Sequence, residues 1–422
     1  MNTVLTGLAA ARRAGRPYGI ASVCSAHPVV LRAALRRAAR SGGPVLIEAT
    51  CNQVNQFGGY TGMTPADFVA FVEKIASEEG ARREQIIFGG DHLGPNPWRK
   101  EPAETALKKA ADMVEAYVAA GFGKIHLDAS MGCAGEPVAL DDHTVAQRAA
   151  ALCAVAERTA SRAGFAPPVY ILGTEVPIPG GADHALDVVE PTAPEAARET
   201  IAVHREAFAK AGLADVFARV IAFVVQPGVE FGSDNVIAYD PQRAATLSAL
   251  LDEEQDLVFE AHSTDYQTEE ALAALVGDGY PILKVGPGLT FAYREALYGL
   301  DLVAGELVPG YGDRPLAKAM EALMTASPGY WSGYYHGDET ALRLQRHFSY
   351  SDRIRYYWAQ PEAAAAVARL LAALDEVKIP ETVLHQYLPF IAPEEADSAE
   401  SVLIAAVDLV LATYEDAAGV KL

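Results

Sequence analysis

The sequence predicts a (β/α)8 barrel, and three observations support that prediction. Short apolar runs alternate with stretches whose apolar residues recur at helical spacing, and this alternation repeats eight times. Nearly every apolar run ends in a polar or titratable residue, as expected where the carboxyl ends of barrel strands converge. The competing doubly wound sheet is less well supported, because no GxGxxG motif follows the first apolar run.

The predicted strands are short and apolar, and predicted helices lie between them. Clear helical spacing is found in Pro65–Glu79, Ala103–Ala120 and Thr144–Ala163. The predicted strands are, in order, Tyr18–Ser25, Pro44–Thr50, Ile86–His92, Lys124–Ser130, Pro168–Glu175, Val220–Pro227, Leu257–Ser263 and Ile282–Val285.

The chain changes character from about residue 331. Several aromatic residues follow Trp331, and alanine-rich segments come next, with Pro361 and Pro380 as helix starts or breaks. We interpret the aromatic residues as core packing rather than as a platform for a sugar. Residues 1–330 are therefore predicted to form the barrel, and residues 331–422 a helical extension packed against it.

Composition restricts the classes of function. Half of the 422 residues are hydrophobic, which is enough for a large core. The formal net charge of −21 argues against nucleic acid and against an anionic membrane surface as partners. The 4 cysteines form no CxxC pair, and no apolar stretch approaches the roughly 20 residues of a membrane span. We expect reduced thiols and a cytoplasmic location, and we also expect a homo-oligomer.

The stretch Gly89–Pro95 is the most informative in the chain. Its two glycines are followed by Asp91 and His92 at the end of a buried apolar run, where a strand covered on both faces has no need of titratable groups. Because strand ends meet at one rim of a barrel, we expect a site for a small polar substrate there. Similar residues at or near other strand ends are Ser25, Glu48, Asn52, His126, Asp128, Ser130, Glu175, Gln226, Glu260, His262, Asp265 and Lys284.

Imidazoles among several carboxylates suit a divalent metal such as Zn²⁺, Mn²⁺ or Co²⁺. We predict His92, Glu175 and His262 as its ligands. A catalytic metal needs about three protein ligands and an open position, so that other carboxylates remain for proton transfer. We predict Asp91 and Asp128 as these acid–base groups, and we count Glu175 among the catalytic residues as well.

The remaining strand ends are predicted to contact the substrate or to support the site. An imine formed through Lys284 is an alternative chemistry, but the carboxylates around it favour the charged ammonium and hence an electrostatic role. His126 is interpreted as a hydrogen-bonded interior residue. Amides around Gly286–Gly288 and Gly232–Ser233 are candidate phosphate sites. The predicted substrate-binding residues are Ser25, Glu48, Asn52, Ser130, Gln226, Asp265 and Lys284.

Together these motifs resemble the Z-type subunits of tagatose-1,6-bisphosphate aldolase. The resemblance runs from the first strand into the C-terminal extension and therefore covers essentially the whole chain. The matching stretches are SVCSAHP (22–28), LIEATCNQVNQFGGYTGMTPA (46–66), GGDHLGPN (89–96), KIHLDAS (124–130), GTEVPIPGG (173–181), VQPGVEF (225–231), EAHSTDYQT (260–268), LKVGP (283–287) and SDRIRYYW (351–358).

The resemblance implies a barrel akin to the class II, metal-dependent aldolases. By position, Asp91 matches the base that takes the proton of the C4 hydroxyl, His92 matches the adjacent metal ligand, and His262 matches a second imidazole ligand. The class II pattern supplies a third histidine near the sixth strand, and this chain has Gln226 there instead.

The resemblance also implies three kinds of function. The first is a Z-type aldolase subunit in galactitol and tagatose catabolism, which acts on a ketose or ketose phosphate and supports a separate catalytic aldolase subunit. The second is a stand-alone, metal-dependent ketose 4-epimerase. The third is a tagatose-6-phosphate kinase, which the sequence supports poorly because it has no GxxxxGK[ST] loop. We predict the first, with the epimerase as the alternative.

Overall fold

A closed barrel of eight parallel strands forms the centre of the computed structural model, which describes residues 3–173 and 188–419. The order around the barrel is β1-β10-β9-β6-β5-β4-β3-β2, which confirms the predicted fold. Two short strands, β7 and β8, pair antiparallel outside the barrel. The strands are β1 Ile20–Cys24, β2 Val45–Thr50, β3 Ile86–Leu93, β4 Lys124–Leu127, β5 Val169–Leu172, β6 Val220–Val225, β7 Glu230–Phe231, β8 Val236–Ile237, β9 Val258–Ala261 and β10 Ile282–Val285.

Helices surround the barrel and continue to the end of the described chain. Those up to the eighth barrel strand are α1 Thr3–Thr6, α2 Leu8–Arg13, α3 Pro28–Ser41, α4 Pro65–Glu79, α5 Ala103–Ala119, α6 Asp142–Ala163, α7 Pro194–Lys210, α8 Pro241–Ala249 and α9 Glu269–Gly277. Those after it are α10 Pro287–Leu307, α11 Pro315–Ala326, α12 Glu339–Phe348, α13 Pro361–Ala373, α14 Glu381–Tyr387 and α15 Ala399–Ala418.

The predicted end of the fourth strand is too late. The prediction ran to Ser130, whereas β4 ends at Leu127. Asp128 Oδ1 accepts hydrogen bonds from both the backbone N–H and the hydroxyl of Ser130, so the backbone turns there instead of continuing the ladder. The predicted fifth strand includes Glu175, which lies outside the described residues.

The inward side chains change from apolar to charged along the barrel axis. In β2 the inward series is Leu46, Glu48 and Thr50, and in β10 Ile282 is followed by Lys284. Leu46 and Ile282 pack in a small apolar core inside the barrel, separate from the larger core between strands and helices. Side chains that alternate with a period of two therefore put apolar packing at one end of the barrel and charge at the other.

The C-terminal helices pack directly on the barrel. The last helix, α15, lies against α3, α9 and α10, and the carbonyl of Ala418 accepts a hydrogen bond of 2.8 Å from the N–H of Gly19. Trp331, Tyr335 and Tyr357 are buried, in agreement with their interpretation as core residues. A 3₁₀ turn, Arg353–Tyr357, packs against α10 and α11.

Two predictions about the whole chain can be compared with the described ranges. Among residues 3–173 and 188–419, no helix is long and apolar enough to cross a membrane. The four cysteines all lie in these ranges, and none of them forms a disulfide.

Candidate active site

Strained backbone marks the carboxyl ends of β3 and β9. His92 has a φ of 51°, and Ser263 and Tyr266, which follow β9, have φ angles of 52° and 64°. Non-glycine residues seldom adopt this left-handed conformation, and where they do so they cluster at functional sites. Both strand ends were predicted to carry chemistry.

Two glycines shape the end of β3. The register pairs Gly89 with Glu48 of β2, and a Cβ at Gly89 would lie 2.6 Å from Glu48 Cγ. A Cβ at Gly94 would overlap the carbonyl oxygen of Asp128. The absence of these side chains lets the Glu48 carboxylate lie across β3 and lets the ends of β3 and β4 approach each other.

Four buried side chains of alternating charge form what we call the charged floor: Glu48, Lys124, Glu260 and Lys284. Lys124 Nζ lies 2.6 Å from Glu48 Oε1 and 2.7 Å from Glu260 Oε2. Lys284 Nζ lies 2.6 Å from Glu48 Oε2 and 3.7 Å from Glu260 Oε1. Burial of an unpaired ion costs several kcal/mol, so each of these charges depends on its neighbours.

Lys284 is held as a cation. It also contacts Asp91 Oδ1. Burial alone lowers the pKa of Lys284, but Asp91, Glu48 and Glu260 raise it well above its usual value. Imine formation needs a neutral amine, so the structure favours the predicted electrostatic role over the Schiff-base alternative.

Asp91 connects the charged floor to the cavity above it. Its Oδ2 accepts a 2.8 Å hydrogen bond from the Thr50 hydroxyl, and its Oδ1 lies 3.2 Å from His126 Nδ1. Burial raises the pKa of Asp91, but the charges of His92 and Lys284 and the bond to His126 hold it well below its usual range. Asp91 is therefore held as a carboxylate.

Three imidazoles face one another above the floor. The ring centroids of His92 and His126 are 4.9 Å apart, those of His92 and His262 are 5.1 Å apart, and those of His126 and His262 are 5.2 Å apart. His126 of β4 is thus the third imidazole of this cluster, in a chain that has Gln226 near the sixth strand.

Each of these imidazoles has one nitrogen next to a carboxylate, and Nδ1 of His126 also accepts a 3.2 Å hydrogen bond from the backbone N–H of His92. For His92 and His262, the carboxylate fixes the tautomer and leaves the other nitrogen for a ligand. Within the described chain, Nε2 of His126 is buried and forms no hydrogen bond. The pairs are His92 Nδ1 with Asp128 Oδ2, His262 Nε2 with Glu260 Oε1, and His126 Nδ1 with Asp91 Oδ1, at 2.8, 2.9 and 3.2 Å.

Ser130 fixes the position of Asp128 in the pair that Asp128 forms with His92. Ser130 donates its hydroxyl and its backbone N–H to Asp128 Oδ1, at 2.6 and 3.1 Å. Burial lowers the pKa of His92, but Asp91 and Asp128 raise it above its usual value. Burial raises the pKa of Asp128, but the His92 imidazole holds it well below its usual range. Ser130, predicted to contact substrate, instead fixes Asp128.

Among the described residues, the candidate ligand atoms that lie closest together differ from the predicted set, of which Glu175 lies outside those residues. Asp91, His126 and His262 each offer one ligand atom, and these atoms lie within 4.8 Å of one another. His262 was predicted as a ligand, whereas His126 was interpreted as an interior residue. His92 lies beside the group, with its Nε2 3.8 Å from Asp91 Oδ1. Two imidazoles and a carboxylate, with His126 Nε2 buried and unbonded, fit a divalent metal.

A cavity of about 90 Å³ opens above these groups. Six of the predicted site residues line it: Asn52, Asp91, His92, His262, Asp265 and Lys284. Glu48 does not line it because it lies in the charged floor. Ser25 lines a neighbouring cavity of about 570 Å³ instead.

The predicted contact between Gln226 and substrate is not supported. Gln226 Oε1 accepts hydrogen bonds from the backbone N–H groups of Gly228 and Val229, at 2.8 and 2.9 Å. The side chain therefore stabilises the turn after β6 and does not line the cavity.

Three of the amides predicted to bind phosphate already donate hydrogen bonds within the chain. Asp265 Oδ1 accepts hydrogen bonds from the N–H groups of Gly286 and Gly288, at 2.9 and 2.7 Å. Burial raises the pKa of Asp265 to about 6, although these two bonds lower it. The N–H of Gly232 donates to the carbonyl of Asn235 at 2.9 Å.

The prediction missed several residues that line the cavity. Arg355 and Tyr356 come from the 3₁₀ turn of the C-terminal extension, and Gln53 and Tyr60 come from the loop after β2. All four lie inside stretches that carry the family resemblance, SDRIRYYW and LIEATCNQVNQFGGYTGMTPA, but nothing in the local pattern places those segments over the barrel.

Glu175, predicted both as a ligand and as a catalytic residue, lies outside the described residues. Both roles of Glu175 remain predictions.

Together the fold and the site define a (β/α)8 barrel whose titratable groups converge at the carboxyl ends of its strands, which is where barrel enzymes carry their chemistry. The chain belongs to the family described as D-tagatose-1,6-bisphosphate aldolase subunit GatZ/KbaZ-like, which it matches over residues 5–419. This confirms the predicted resemblance.

Two relatives are similar to the chain over nearly its whole length. A D-tagatose 6-phosphate 4-epimerase of Agrobacterium fabrum is 71% identical over 421 residues, which are 99% of each chain. A crystal structure titled as a probable tagatose 6 phosphate kinase from Sinorhizobium meliloti is 57% identical, with a TM-score of 0.86, and the match covers 94% of this chain and 100% of that one.

Proposed function

We propose that this chain is a metal-dependent 4-epimerase of a ketose 6-phosphate, active without a partner subunit. The observation that carries the proposal is the cavity with Asp91, His92, His262 and Lys284 in its wall, which is a complete set of groups for carbon–carbon bond cleavage. The 71% identity to a D-tagatose 6-phosphate 4-epimerase supports the same reaction. The predicted order of the two functions is thereby reversed, with the epimerase ahead of the accessory subunit.

Epimerisation at C4 can proceed by cleavage and re-formation of the C3–C4 bond. Loss of the C4 hydroxyl proton breaks that bond and gives an enediolate, from C1 to C3, and an aldehyde, from C4 to C6. Rotation of the aldehyde by half a turn followed by addition to its other face inverts C4, and the proton then returns to the new hydroxyl. Atoms and electrons balance without an oxidant or a nucleotide.

We assign the metal to Asp91, His126 and His262, whose ligand atoms lie within 4.8 Å of one another. A bound divalent ion polarises a carbonyl and stabilises negative charge on oxygen. Glu260 orients His262, and Lys284 adds a fixed positive charge next to Asp91. The mixed nitrogen and oxygen ligands are compatible with Zn²⁺, Mn²⁺ or Co²⁺.

We assign the proton transfer to His92, with Asp128 as the residue that orients it. His92 lines the cavity, and its Nδ1 is held by Asp128 while Nε2 is directed away from that contact. This arrangement of carboxylate, imidazole and reacting hydroxyl is a general way to activate a hydroxyl group. It exchanges the roles that the family resemblance implied for Asp91 and His92.

The direct test uses the purified chain alone, a divalent metal and D-tagatose 6-phosphate. We expect the C4 epimer, D-fructose 6-phosphate, to accumulate to equilibrium, and we expect a chelator to stop the reaction. Absence of turnover by the chain alone, combined with an increased rate of a separate class II aldolase subunit, would favour the accessory function. Phosphorylation that requires ATP would favour the kinase.

A further inference from the structure

Two cations from the described chain line the active-site cavity, and they differ in their surroundings. Lys284 lies among Glu48, Asp91 and Glu260. Arg355, by contrast, has no carboxylate oxygen within 4.0 Å among residues 3–173 and 188–419. Asp265 in the same wall and Asp352 in the same turn interact with the charge of Arg355 without forming an ion pair with it, so the guanidinium can still pair with a bound anion.

The contacts of Arg355 are to neutral oxygens. Its Nη1 donates to the carbonyl oxygens of Ser351 and Asp352, the latter at 3.1 Å, and its Nη2 donates to the Tyr356 hydroxyl at 2.8 Å. The guanidinium also lies 4.3 Å from the centre of the Tyr356 ring. These contacts leave part of the guanidinium's five N–H donors free.

The turn that carries Arg355 is fixed from several sides. Asp352 is buried with a φ of 44° and accepts a 2.8 Å hydrogen bond from Arg294 Nε. The Tyr266 hydroxyl donates to the carbonyl of Tyr350 at 2.6 Å. The guanidinium is therefore held in place before a ligand arrives, which lowers the entropy lost on binding.

Arg355 also stands where two cavities meet. It lines the active-site cavity of about 90 Å³ and the neighbouring cavity of about 570 Å³. Gln53 and Tyr60 line both as well. A substrate that reaches from Asp91 and His92 along this wall would have its far end next to the free charge.

We infer that Arg355 binds the phosphate of the substrate and so selects phosphorylated over free ketoses. This inference rests on the proposed function and assigns the residue that binds the phosphate group of the proposed substrate. The backbone N–H groups of Gly286, Gly288 and Gly232, which were predicted to bind phosphate, are bonded to Asp265 and Asn235. The guanidinium of Arg355, in contrast, has N–H donors without a partner in the described part of the chain. Arginine binds phosphate through paired N–H donors, and the chain's net charge of −21 makes a local positive charge necessary for a dianion.

The test compares two substrates and one ligand that does not react. For Arg355→Gln we expect KM for D-tagatose 6-phosphate to rise about 10- to 100-fold, the range for loss of hydrogen bonds to a charged group. We expect KM and kcat for free D-tagatose to change less than about 2-fold, and the affinity for inorganic phosphate, measured by calorimetry, to fall as KM rises. Arg355→Lys should lie between, because lysine keeps the charge but not the paired donors.

A matched control removes a charge from the same extension without touching the cavity. Arg343 lies exposed on α12, and Arg343→Gln should leave all three quantities unchanged. Equal losses on both substrates for Arg355→Gln, or unchanged affinity for inorganic phosphate, would overturn the inference. If the wild-type chain turns over no ketose, the proposed function fails, and the calorimetric comparison still decides whether Arg355 binds phosphate.

Discussion

The charged floor and the turn that carries Arg355 border the same cavity but are built in opposite ways. The floor lies on barrel strands, and its four charges neutralise one another. The turn lies outside the barrel and presents an arginine whose contacts are to neutral oxygens. A self-neutralised cluster can hold a metal and reacting groups in fixed positions, whereas an uncompensated charge can recognise an anion. The comparison suggests that the charged floor supports the reaction, whereas the turn with Arg355 selects the substrate.

Removal of a metal ligand should have the largest effect. His262→Ala deletes one of the three donors and leaves Glu260 without its imidazole partner. We expect kcat to fall by more than about 10⁴-fold, which is at least about 5 kcal/mol of lost transition-state stabilisation, together with the metal content. Elemental analysis and turnover measured on the same preparation check this. A variant that keeps full activity without metal would contradict the assignment.

Substitution of the proposed acid–base residue should separate activity from metal binding. His92→Asn removes the imidazole that faces the cavity but none of the three assigned ligands. We expect kcat to fall by about 10²–10⁴-fold with metal content unchanged. Asp91→Asn is the matched comparison and should lose metal. The reverse pattern, in which His92→Asn loses metal and Asp91→Asn keeps it, would restore the roles that the family resemblance implied.

A carboxylate that acts through a ligand should give a smaller change. Glu260→Gln keeps the size of the side chain but weakens its bond to His262 Nε2. We expect metal affinity to fall by about 10- to 100-fold, with activity recovered at high metal concentration. Competition with a chelator of known affinity measures the change. Activity that metal cannot restore, in a variant whose free energy of unfolding matches that of the wild-type chain, would contradict a role through His262.

A substitution that crowds the charged floor should have the smallest effect of the four, and it should lower the stability of the fold rather than the activity. Gly89→Ala places a Cβ against Glu48 Cγ and Cδ. We expect the free energy of unfolding to fall by about 1–3 kcal/mol, as for other overpacked cores. Gly333→Ala offers a surface comparison, since Gly333 likewise has no positive φ but is exposed and has no atom within 4 Å of the added Cβ. Chemical denaturation of both variants distinguishes crowding from the general effect of replacing a glycine. Equal losses in the two variants would contradict the packing argument.

The difference between the barrel strands and the turn outside the barrel also explains which site residues could be predicted from the sequence. Strand ends with polar residues gave the barrel and the residues Asp91, His92, His262 and Lys284, because alternation along a strand determines which side chains point inward. Ser130 and Gln226 were predicted to contact substrate because they lie near strand ends. A polar residue in that position can equally bond to its own turn, and both of these side chains do so. That distinction depends on the backbone path after the strand.

Two further residues required tertiary structure. His126 was correctly interpreted as a hydrogen-bonded interior residue, but only the packing of β3, β4 and β9 shows its approach to His262. Arg355 lies 70 residues or more beyond β10 in the chain, and the packing of its turn on α10 and α11 brings it to the cavity. The periodicity of apolar residues in the sequence cannot predict such a contact between distant segments.

The most direct test of the proposed chemistry is the reaction of the isolated, metal-loaded chain with D-tagatose 6-phosphate in D₂O, followed by NMR. Cleavage between C3 and C4 leaves the hydrogen on C4 in place throughout. We therefore expect D-fructose 6-phosphate to form without a partner subunit and to retain protium at C4. Incorporation of deuterium at C4, or absence of product in the metal-loaded chain, would contradict epimerisation by carbon–carbon bond cleavage at this site.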